Sequence, residues 1–399
     1  LVDMRFKGVR VDVEKAEKIK QRLIEEEKKL LFKIKELTKI DVELWAAASI
    51  AKAFDALKLP YDKTEKTGAP SFTRNFLANH PHELAQSIAN AREINKAHTT
   101  FIDTITKHSH KGRIHADINQ IRSDQGGTVT GRFSMSNPNL QQIPVRHKEL
   151  GPLIRSIFIP EENCKWGVFD YSQQEPRILV HYAKLQKLDG IDEIANAYIS
   201  GEADFHAAVA KMAGISRNQA KTINLGLMYG MGKNKLMAEL GLMKESAEKL
   251  IAQYHSKAPF IKQLMKNTTN KAERSGIIRT LKGRICHFDM WEPLTFNTGT
   301  PKKLEDAQKE YTFGIKRAFT YRALNRLIQG SAADMTKLSI IALSENGIVP
   351  HIQIHDELDV SVEHSEQAKQ IVEIMESAIK LEIPNKVDYE CGSNWGDIK

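Results

Sequence analysis

The sequence predicts an α+β fold in which one β-sheet is assembled from segments that lie far apart in the chain. Helical periodicity dominates about residues 14–106 and returns over about 178–330. Between and after these stretches the chain has short apolar runs separated by Gly, Pro, Asn and Thr, which is typical of strands and loops. The order helix, sheet, helix, sheet indicates a central sheet that is interrupted by a helical insertion.

Bulk composition bounds the class of protein. With 399 residues the chain can bury more than one hydrophobic core. Lys and Arg total 58 against 50 Asp and Glu, and the net charge of +8 favours a polyanionic partner such as nucleic acid. No apolar run approaches the roughly 20 residues of a membrane span, and the N-terminus has no signal-peptide pattern. We expect a soluble protein without a membrane partner, and the start at Leu1 suggests a domain cut from a longer chain.

The cysteines argue against a zinc site and against a disulfide framework. Cys164, Cys286 and Cys391 lie far apart and form no Cys-x-x-Cys pair. This usage favours a reducing, cytosolic setting.

The first third of the chain is predicted to be helical after a short opening strand pair. Residues 1–14 alternate and turn at Gly8, which predicts the strand pair. Helices are then expected over about 14–38, 44–57 and 72–106, from apolar residues such as Ile19, Leu23, Leu30, Ile34 and Leu37 at helical spacing. The loop over 61–70 is basic and carries Gly and Pro.

A hairpin is predicted near the C-terminus. Ile352 and Ile354 alternate before a polar cluster, and apolar residues alternate again after it over 358–362. This pattern predicts two paired strands with His355, Asp356 and Glu357 at the tip.

A second polar cluster follows an apolar strand at Trp166–Phe169. It places Asp170, Gln173, Glu175 and Arg177 within eight positions. A carboxylate at a strand end is well placed to hold a divalent metal, because hard cations take oxygen ligands. A polar turn without a ligand is an equally good reading of this run alone.

Asp170 and Asp356 lie far apart in sequence but are expected at the edge of the same sheet. Such a pair can hold two Mg²⁺ ions that activate an attacking oxygen and stabilise a leaving phosphate. The alternative is a pair of unrelated surface aspartates.

A row of four residues that begins with two cations favours the interpretation that this site binds phosphate. Arg217, Lys221, Leu225 and Tyr229 are four residues apart, so they lie along one helix face. Two cations at the start of this face would bind an anionic triphosphate, and the Tyr ring would meet a sugar or base. Taken alone, such cations usually form a solvated face.

Two further clusters offer side chains that suit the minor groove. Arg132, Asn139 and Gln141 lie on a constrained loop, and Asn325 and Gln329 share a helix face. Arg, Asn and Gln can bond the similar acceptors that every base pair presents there, which holds a duplex without reading its sequence.

Taken together and in this order, these motifs resemble the polymerase domain of family A DNA polymerases, the DNA polymerase I family. The resemblance runs from about residue 1 to the C-terminus. Its motifs are Thr130-Gly131-Arg132, Asn139-Leu140-Gln141, Asp170–Arg177, Arg217–Gly230, Thr280-Leu281-Lys282-Gly283-Arg284, Gln329–Asp334 and His355-Asp356-Glu357.

The resemblance implies a right-hand polymerase fold, with an antiparallel β-sheet palm and a mainly helical thumb and fingers. It places the start of the palm at 1–14, the thumb at 15–113, the first part of the palm at 114–177, the fingers at 178–329 and the second part of the palm at 330–399. In the thumb, Lys63 and Lys66 would grip duplex phosphates.

The resemblance also assigns site residues. Asp170, Asp356 and Glu357 would be catalytic, and the metals would be held by Asp170, Asp356 and the Tyr171 backbone. The dNTP would be bound by Gln173, Glu175, His206, Arg217, Lys221, Leu225 and Tyr229, with Glu175 as the gate against a ribose 2′-hydroxyl. The DNA would be bound by Arg132, Asn139, Gln141, Arg284, Asn325, Gln329 and His355.

The implied activity is template-directed 5′–3′ DNA synthesis from dNTPs, with transfer to a primer 3′-hydroxyl and release of pyrophosphate. The implied cofactor is a pair of Mg²⁺ ions, for which Mn²⁺ can substitute, and the implied partners are primer-template DNA and dNTPs. We expect a monomer in the cytoplasm of a bacterium or a phage-infected cell, with an organelle as an open alternative. A proofreading domain is not expected within these residues. The alternatives are a single-subunit RNA polymerase and a catalytically inactive nucleic-acid clamp of the same fold.

Several positions depart from the family's pattern. Leu225 stands where Phe or Tyr is usual, which predicts altered selectivity for the sugar. Gln174 and Pro176 stand where an apolar pair is usual, a variant that suggests phage-encoded members. Tyr321 precedes Arg322 where the family has arginine one position earlier, and residues 291–312 are predicted to form a surface insertion.

Overall fold

The first third of the chain is mainly helical, as its periodicity predicts. The computed structural model describes residues 1–121, 127–144, 147–201, 204–228, 233–295 and 299–398. The first elements are α1 (Val2–Lys7), β1 (Val9–Arg10), α2 (Val13–Thr38), α3 (Ala47–Ala56), β2 (Asp62–Lys63), β3 (Pro70–Ser71), α4 (Arg74–Asn79), α5 (Glu83–Lys96), a π-helical turn (Ala97–Ile102) and α6 (Asp103–His108). The Asp12 side chain caps α2 by accepting the Lys15 N–H.

The predicted strand pair at the N-terminus is wrong. Residues 2–7 form α1 instead, which ends where Gly8 adopts a φ of 65°. Phe6, which supplied part of the apparent alternation, is 87% exposed and packs into no core. Val9–Arg10 is extended and pairs with a later strand at Arg113–Ile114, and Val11 forms an isolated antiparallel bridge with Phe158.

Short strands and loops follow, and then a run of helices. The next elements are β4 (Ser109–His110), β5 (Arg113–Ile114), β6 (Asp117–Asn119), β7 (Ser134–Ser136), a 3₁₀ turn (Leu140–Gln142), α7 (Leu150–Arg155), β8 (Lys165–Tyr171), α8 (Gln174–Leu185), α9 (Ile191–Ile199), α10 (Phe205–Ala213), α11 (Arg217–Met228), α12 (Lys233–Leu240), α13 (Lys244–Lys257) and α14 (Pro259–Ser275).

The remaining elements return the chain to the sheet. They are β9 (Ile277–Arg279), β10 (Ile285–His287), β11 (Trp291–Pro293), α15 (Leu304–Glu310), β12 (Ile315–Arg317), a 3₁₀ turn (Thr320–Arg322), α16 (Ala323–Glu345), β13 (Ile352–Ile354), β14 (Glu357–Val362), α17 (Ser365–Ser377), β15 (Val387–Gly392) and a 3₁₀ turn (Trp395–Asp397).

The helical insertion differs from its prediction in two respects. It contains two small strand pairs, β9 with β10 and β11 with β12, so the segment predicted as a surface insertion is closed by its own sheet. The predicted boundary between 329 and 330 falls inside α16, which is one continuous helix.

A four-stranded antiparallel sheet in the order β13-β14-β8-β15 lies at the centre of the fold, as the interrupted-sheet prediction requires. One face carries Phe169, Leu358 and Val360 and packs into the core that includes α16 and α17. The opposite face carries Trp166 and Val168 and packs against a second core that includes Phe158. The helices that the resemblance assigns to the thumb pack around a third hydrophobic core. Across the described residues, no helix is both long and apolar enough to cross a lipid bilayer.

We expect His351, which is buried beside this sheet, to make the fold less stable at acidic pH. Its ring stacks on Trp166 at 5.5 Å, and its Nε2 lies 2.6 Å from Ser361 Oγ. Burial is the main cause that lowers the pKa of His351 to about 3. The unfolded chain binds a proton near pH 6.5 whereas the folded chain does not, so this group removes stability as the pH falls from 6.5 toward 3.

We expect this group to lower the free energy of unfolding by about 1.5 kcal/mol between pH 6.5 and pH 5. Urea unfolding at both pH values should show that difference in the wild type and lose it in His351→Gln. His110→Gln changes an exposed histidine and serves as the control. An unchanged pH dependence in His351→Gln would contradict the assignment.

Candidate active site

The hairpin and β8 bring Asp170 and Asp356 to one end of the central sheet. The register sets Glu357 opposite Asp170, one residue beyond Asp356. The backbone also joins the two elements directly, because the Tyr171 N–H donates to the Asp356 carbonyl at 3.2 Å. The predicted pairing of these two distant aspartates is therefore present in the fold.

The tip of the hairpin is smaller than predicted. His355 and Asp356 form a two-residue turn, whereas Glu357 is the first residue of β14. His355 has a φ of 59°, a left-handed conformation that is uncommon outside glycine. The turn therefore holds Asp356 in place at some cost in backbone strain.

Negative charge is concentrated around Asp170. Burial first, and then the nearby carboxylates of Asp356, Glu357 and Asp388, raise the pKa of Asp170 to about 8. Burial likewise raises the pKa of Asp356, with Arg132 acting in the opposite direction. Carboxylates crowded in this way gain most from a bound cation, so the site suits a divalent metal.

The carboxylate ligands of this site fit a metal ion that is also bound by a phosphate of the substrate. Among the described residues, no group of three or more His, Cys, Asp or Glu side chains could hold an ion alone. Mg²⁺ is commonly bound by one or two carboxylates together with waters and substrate phosphates. The Tyr171 side chain takes no part, because its hydroxyl bonds Ser339 Oγ at 2.6 Å on the other face of the sheet.

Glu357 belongs to a buried charged cluster that the sequence did not reveal. Its side chain lies beside the fully buried Asp359, and the Arg155 charge acts to lower the pKa of both carboxyl groups. The Arg155 guanidinium lies 4.2 Å from the centre of the Trp395 ring. Burial, and then Glu357, raise the pKa of Asp359 well above its usual range. Asp359 interrupts an apolar strand, which is the only signal that the sequence offers for it.

The two cations predicted to meet a triphosphate, Arg217 and Lys221, both lie on α11. Arg217 Nε contacts Asp204 Oδ2 at 2.6 Å, and Asp204 also caps α10 by accepting the Ala207 N–H at 3.0 Å. Lys221 is exposed one turn further along α11. Arg217 is thus anchored to a helix start, whereas Lys221 faces solvent.

His206 is buried between these two helices. Its Nδ1 lies 3.0 Å from Asn224 Nδ2, and Asn224 Oδ1 accepts from the Tyr254 hydroxyl. That arrangement leaves the ring proton on Nε2. Burial is the first cause that lowers the pKa of His206, and Arg217 and Lys221 contribute. At neutral pH the ring is uncharged and can donate one hydrogen bond. Neither Asn224 nor Tyr254 was predicted from the sequence as a partner of His206.

The predicted sugar contacts are engaged with one another in this structure. Glu175 Oε1 lies 2.5 Å from an Arg132 guanidinium nitrogen, and both side chains are largely buried. Gln173 Oε1 accepts from the Tyr198 hydroxyl at 3.0 Å and from the Phe205 N–H at 2.9 Å, which ties the turn after β8 to α9 and α10. Leu225 is half-buried on α11. Tyr229 lies outside the described residues.

The predicted DNA-binding residues differ in their exposure and in the hydrogen bonds that they make within the protein. Asn139 Oδ1 accepts the Gln141 N–H and caps the 3₁₀ turn, while Asn325 and Gln329 are half-buried one turn apart on α16. Gln141 Nε2 donates to the Gln353 carbonyl at 3.1 Å. His355 is exposed.

Arg284 is used inside the protein. Its Nε contacts Asp334 Oδ1 at 2.9 Å, and one terminal nitrogen donates to the carbonyls of Thr130 and Gly330 at 2.8 and 2.7 Å. These contacts fix the loop that carries Arg132 against α16. Direct contact of Arg284 with DNA remains a prediction.

Comparisons with known proteins agree with this arrangement. The sequence model of DNA polymerase family A matches residues 13–397. A DNA-directed DNA polymerase of Pseudomonas phage M6 is 34% identical over 448 residues, covering 99% of this chain and 64% of the phage protein. DNA polymerase I of Geobacillus stearothermophilus is 32% identical over 418 residues, covering all of this chain and 45% of that protein. The chain therefore spans less than two thirds of the length of these relatives.

A solved structure has the same fold. The POL domain of Pol1 from M. smegmatis, in complex with DNA primer-template and dNTP, superposes with a TM-score of 0.77 at 25% sequence identity. The superposition covers 99% of this chain and 68% of that one.

Proposed function

The chain belongs to DNA polymerase family A, and on that premise we propose that it catalyses template-directed addition of dNTPs to a primer 3′-hydroxyl, releasing pyrophosphate. The observation that carries the proposal is the meeting of Asp170 and Asp356 at one end of the central sheet. The mycobacterial relative's complex with primer-template and dNTP supports the same ligands for this chain.

The carboxylates supply the metal site. Asp170 and Asp356 would hold two Mg²⁺ ions, with the Tyr171 carbonyl as a further ligand and Mn²⁺ as a substitute. When bound, the ions stabilise charge on the attacking and leaving oxygens. Glu357 would act from beside them, in contact with the buried cluster around Asp359.

The helices α10 and α11 bind the triphosphate in this proposal. Lys221 and Arg217 neutralise phosphate charge, and His206 donates its Nε2 proton to a phosphate oxygen. Because the buried His206 is uncharged, it adds no positive charge to those of Arg217 and Lys221. Release of Arg217 from Asp204 would let it reach the nucleotide.

Sugar and duplex contacts surround this centre. Glu175 would exclude a ribose 2′-hydroxyl and Tyr229 would contact the nucleotide, while Gln173 holds the turn in place. Arg132, Asn139, Gln141, Asn325, Gln329 and His355 would line the minor groove of the primer-template. The proposed hand has the thumb at 15–113, the fingers at 178–329, and a palm built from 1–14, 114–177 and 330–399. We propose that the protein acts as a monomer in the cytoplasm.

Primer extension tests the proposal against its closest competitor. A single-subunit RNA polymerase would use rNTPs, whereas Glu175 at the sugar position favours dNTPs. The purified chain should extend one primed DNA template with dNTPs and Mg²⁺ at least about ten-fold faster than with rNTPs. Equal or faster use of rNTPs would favour the RNA polymerase. Tight DNA binding without any extension would favour the inactive clamp.

Leu225 is expected to set selectivity for the sugar 3′ position. It is half-buried on the same α11 face as Arg217 and Lys221, so it lies along the path proposed for the nucleotide. Leu225→Phe should change the ddNTP/dNTP incorporation ratio by about ten-fold or more, measured by competition on one template base. Leu242→Phe on the connection before α13 serves as the control. Equal ddNTP/dNTP incorporation ratios for the wild type and Leu225→Phe would contradict a role of Leu225 in sugar selectivity.

A further inference from the structure

Gln174 is a buried polar residue in the run that follows Asp170. It is 2% exposed and begins α8, four residues after Asp170. Its Nε2 donates to Thr336 Oγ1 on α16 at 3.2 Å. Its Oε1 is also buried, and no donor among the described residues reaches it. An unpaired buried amide oxygen costs about 1–3 kcal/mol, so Gln174 is a stability liability unless it has another use.

The Thr336 hydroxyl connects Gln174 to the hairpin. Its Oγ1 lies 3.2 Å from the Ala332 carbonyl in its own helix and 3.4 Å from the His355 carbonyl. The same His355 carbonyl accepts a shorter bond, 2.6 Å, from Gln353 Nε2. The polar contacts therefore run from α8 through α16 to the His355–Asp356 turn.

The end of this path is the strained point of the hairpin. His355 is left-handed at φ 59°, and its carbonyl belongs to the peptide that leads into Asp356. Donors that hold this carbonyl also hold the orientation of that peptide. A small shift of Asp356 relative to Asp170 is costly for catalysis, because misplacement by about 1 Å can lower a rate about a hundred-fold.

We propose that Gln174 and Thr336 are a positioning pair that couples the turn after Asp170 to the turn that contains Asp356. The pair touches neither substrate nor metal and acts through the His355 carbonyl. The inference rests on the proposed polymerase function for its catalytic consequence, whereas its structural consequence stands alone.

Hydrogen exchange tests the structural half without any activity. Gln174→Leu and Thr336→Val should each increase amide exchange about three-fold or more in peptides spanning 350–358. Peptides from β15 should be unchanged. Thr106→Val removes a hydroxyl that bonds the nearby carbonyls of Ile102 and Asp103, far from the hairpin in sequence, and serves as the matched control. Unchanged exchange at 350–358 in both variants overturns the inference whether or not the wild type synthesises DNA.

Single-turnover primer extension tests the catalytic half. Each single variant should lower kcat about ten-fold with little change in KM for dNTP, and the double variant should also lose about ten-fold. Thr336→Ser keeps the hydroxyl and should retain wild-type kcat. Gln174→Leu removes the unpaired oxygen, so its Tm should match or exceed that of the wild type.

The outcomes separate the two proposals. An additive loss of about a hundred-fold in the double variant, or a Thr336→Ser variant as slow as Thr336→Val, overturns the positioning pair. A fall in Tm that parallels the fall in kcat in Gln174→Leu assigns the residue an ordinary structural role and also overturns it. A wild type that fails to extend any primer refutes the proposed function instead.

Discussion

Asp356→Asn and Asp170→Asn are each expected to slow primer extension about a thousand-fold or more, equivalent to about 4 kcal/mol of transition-state stabilisation. Asn keeps the size of the side chain and removes the charge that would hold a divalent ion. DNA affinity should stay within about two-fold of the wild type, because removing negative charge does not weaken phosphate contacts. Single-turnover extension and fluorescence anisotropy on the same primer-template measure the two quantities.

Asp388 offers a matched control for this experiment. It lies directly opposite Asp170 on β15, contributes to the same negative field, and is exposed. If the field alone governed activity, Asp388→Asn would mimic the other variants. We expect a change of less than about three-fold. Extension retained by Asp170→Asn or Asp356→Asn would refute the metal assignment.

The second large effect is expected from Lys221→Met. The variant should lower kcat/KM for dNTP about a hundred-fold, because one cation that meets the triphosphate is replaced by an apolar chain of similar length. Lys221 is a cleaner target than Arg217, whose removal would also free Asp204 at the start of α10. DNA affinity in the absence of dNTP should not change.

Lys249→Met provides the comparison, since Lys249 is an exposed lysine on α13. It should leave kcat/KM for dNTP within about two-fold of the wild type. A loss in Lys221→Met that appears equally for DNA binding would assign Lys221 to the duplex. An unchanged kcat/KM would remove it from the site.

The sequence predicted those parts of the fold that have strong periodicity. α2 follows the helical repeat that places Ile19, Leu23 and Ile34 on one buried face, and the β13–β14 hairpin follows the alternation around Asp356. α1 was missed because its short alternating run carries exposed apolar residues. β15 was not predicted, although Val387, Tyr389 and Cys391 alternate with Asp388 and Glu390; it is a short edge strand in which only Val387 is buried.

Side-chain partnerships could not be predicted in the same way, because they depend on tertiary contacts. The Arg132–Glu175 ion pair joins residues that were assigned to DNA and to the nucleotide separately. Asn224 and Tyr254, which orient His206, come from two helices that the sequence does not relate. Arg284 has the basic character expected of a DNA contact, yet its bonds lie within the protein.

Gln174 and Pro176, which depart from the family's pattern after Asp170, are accommodated in the structure in different ways. Pro176 is the third residue of α8, where a backbone N–H has no helical partner and proline is tolerated. Gln174 finds a polar partner in Thr336 on the facing helix. The departure from an apolar pair thus involves a contact between two distant elements, which one sequence segment cannot disclose.

The most direct test of the central claim counts metal ions at the two carboxylates. Mn²⁺ bound to a complex with dideoxy-terminated primer-template and the complementary dNTP can be measured by electron paramagnetic resonance, after subtraction of the ions bound by DNA and dNTP alone. We predict about two protein-dependent Mn²⁺ ions for the wild type and a clear loss for Asp356→Asn and Asp170→Asn. Equal Mn²⁺ occupancy in the wild type and both variants would contradict the account.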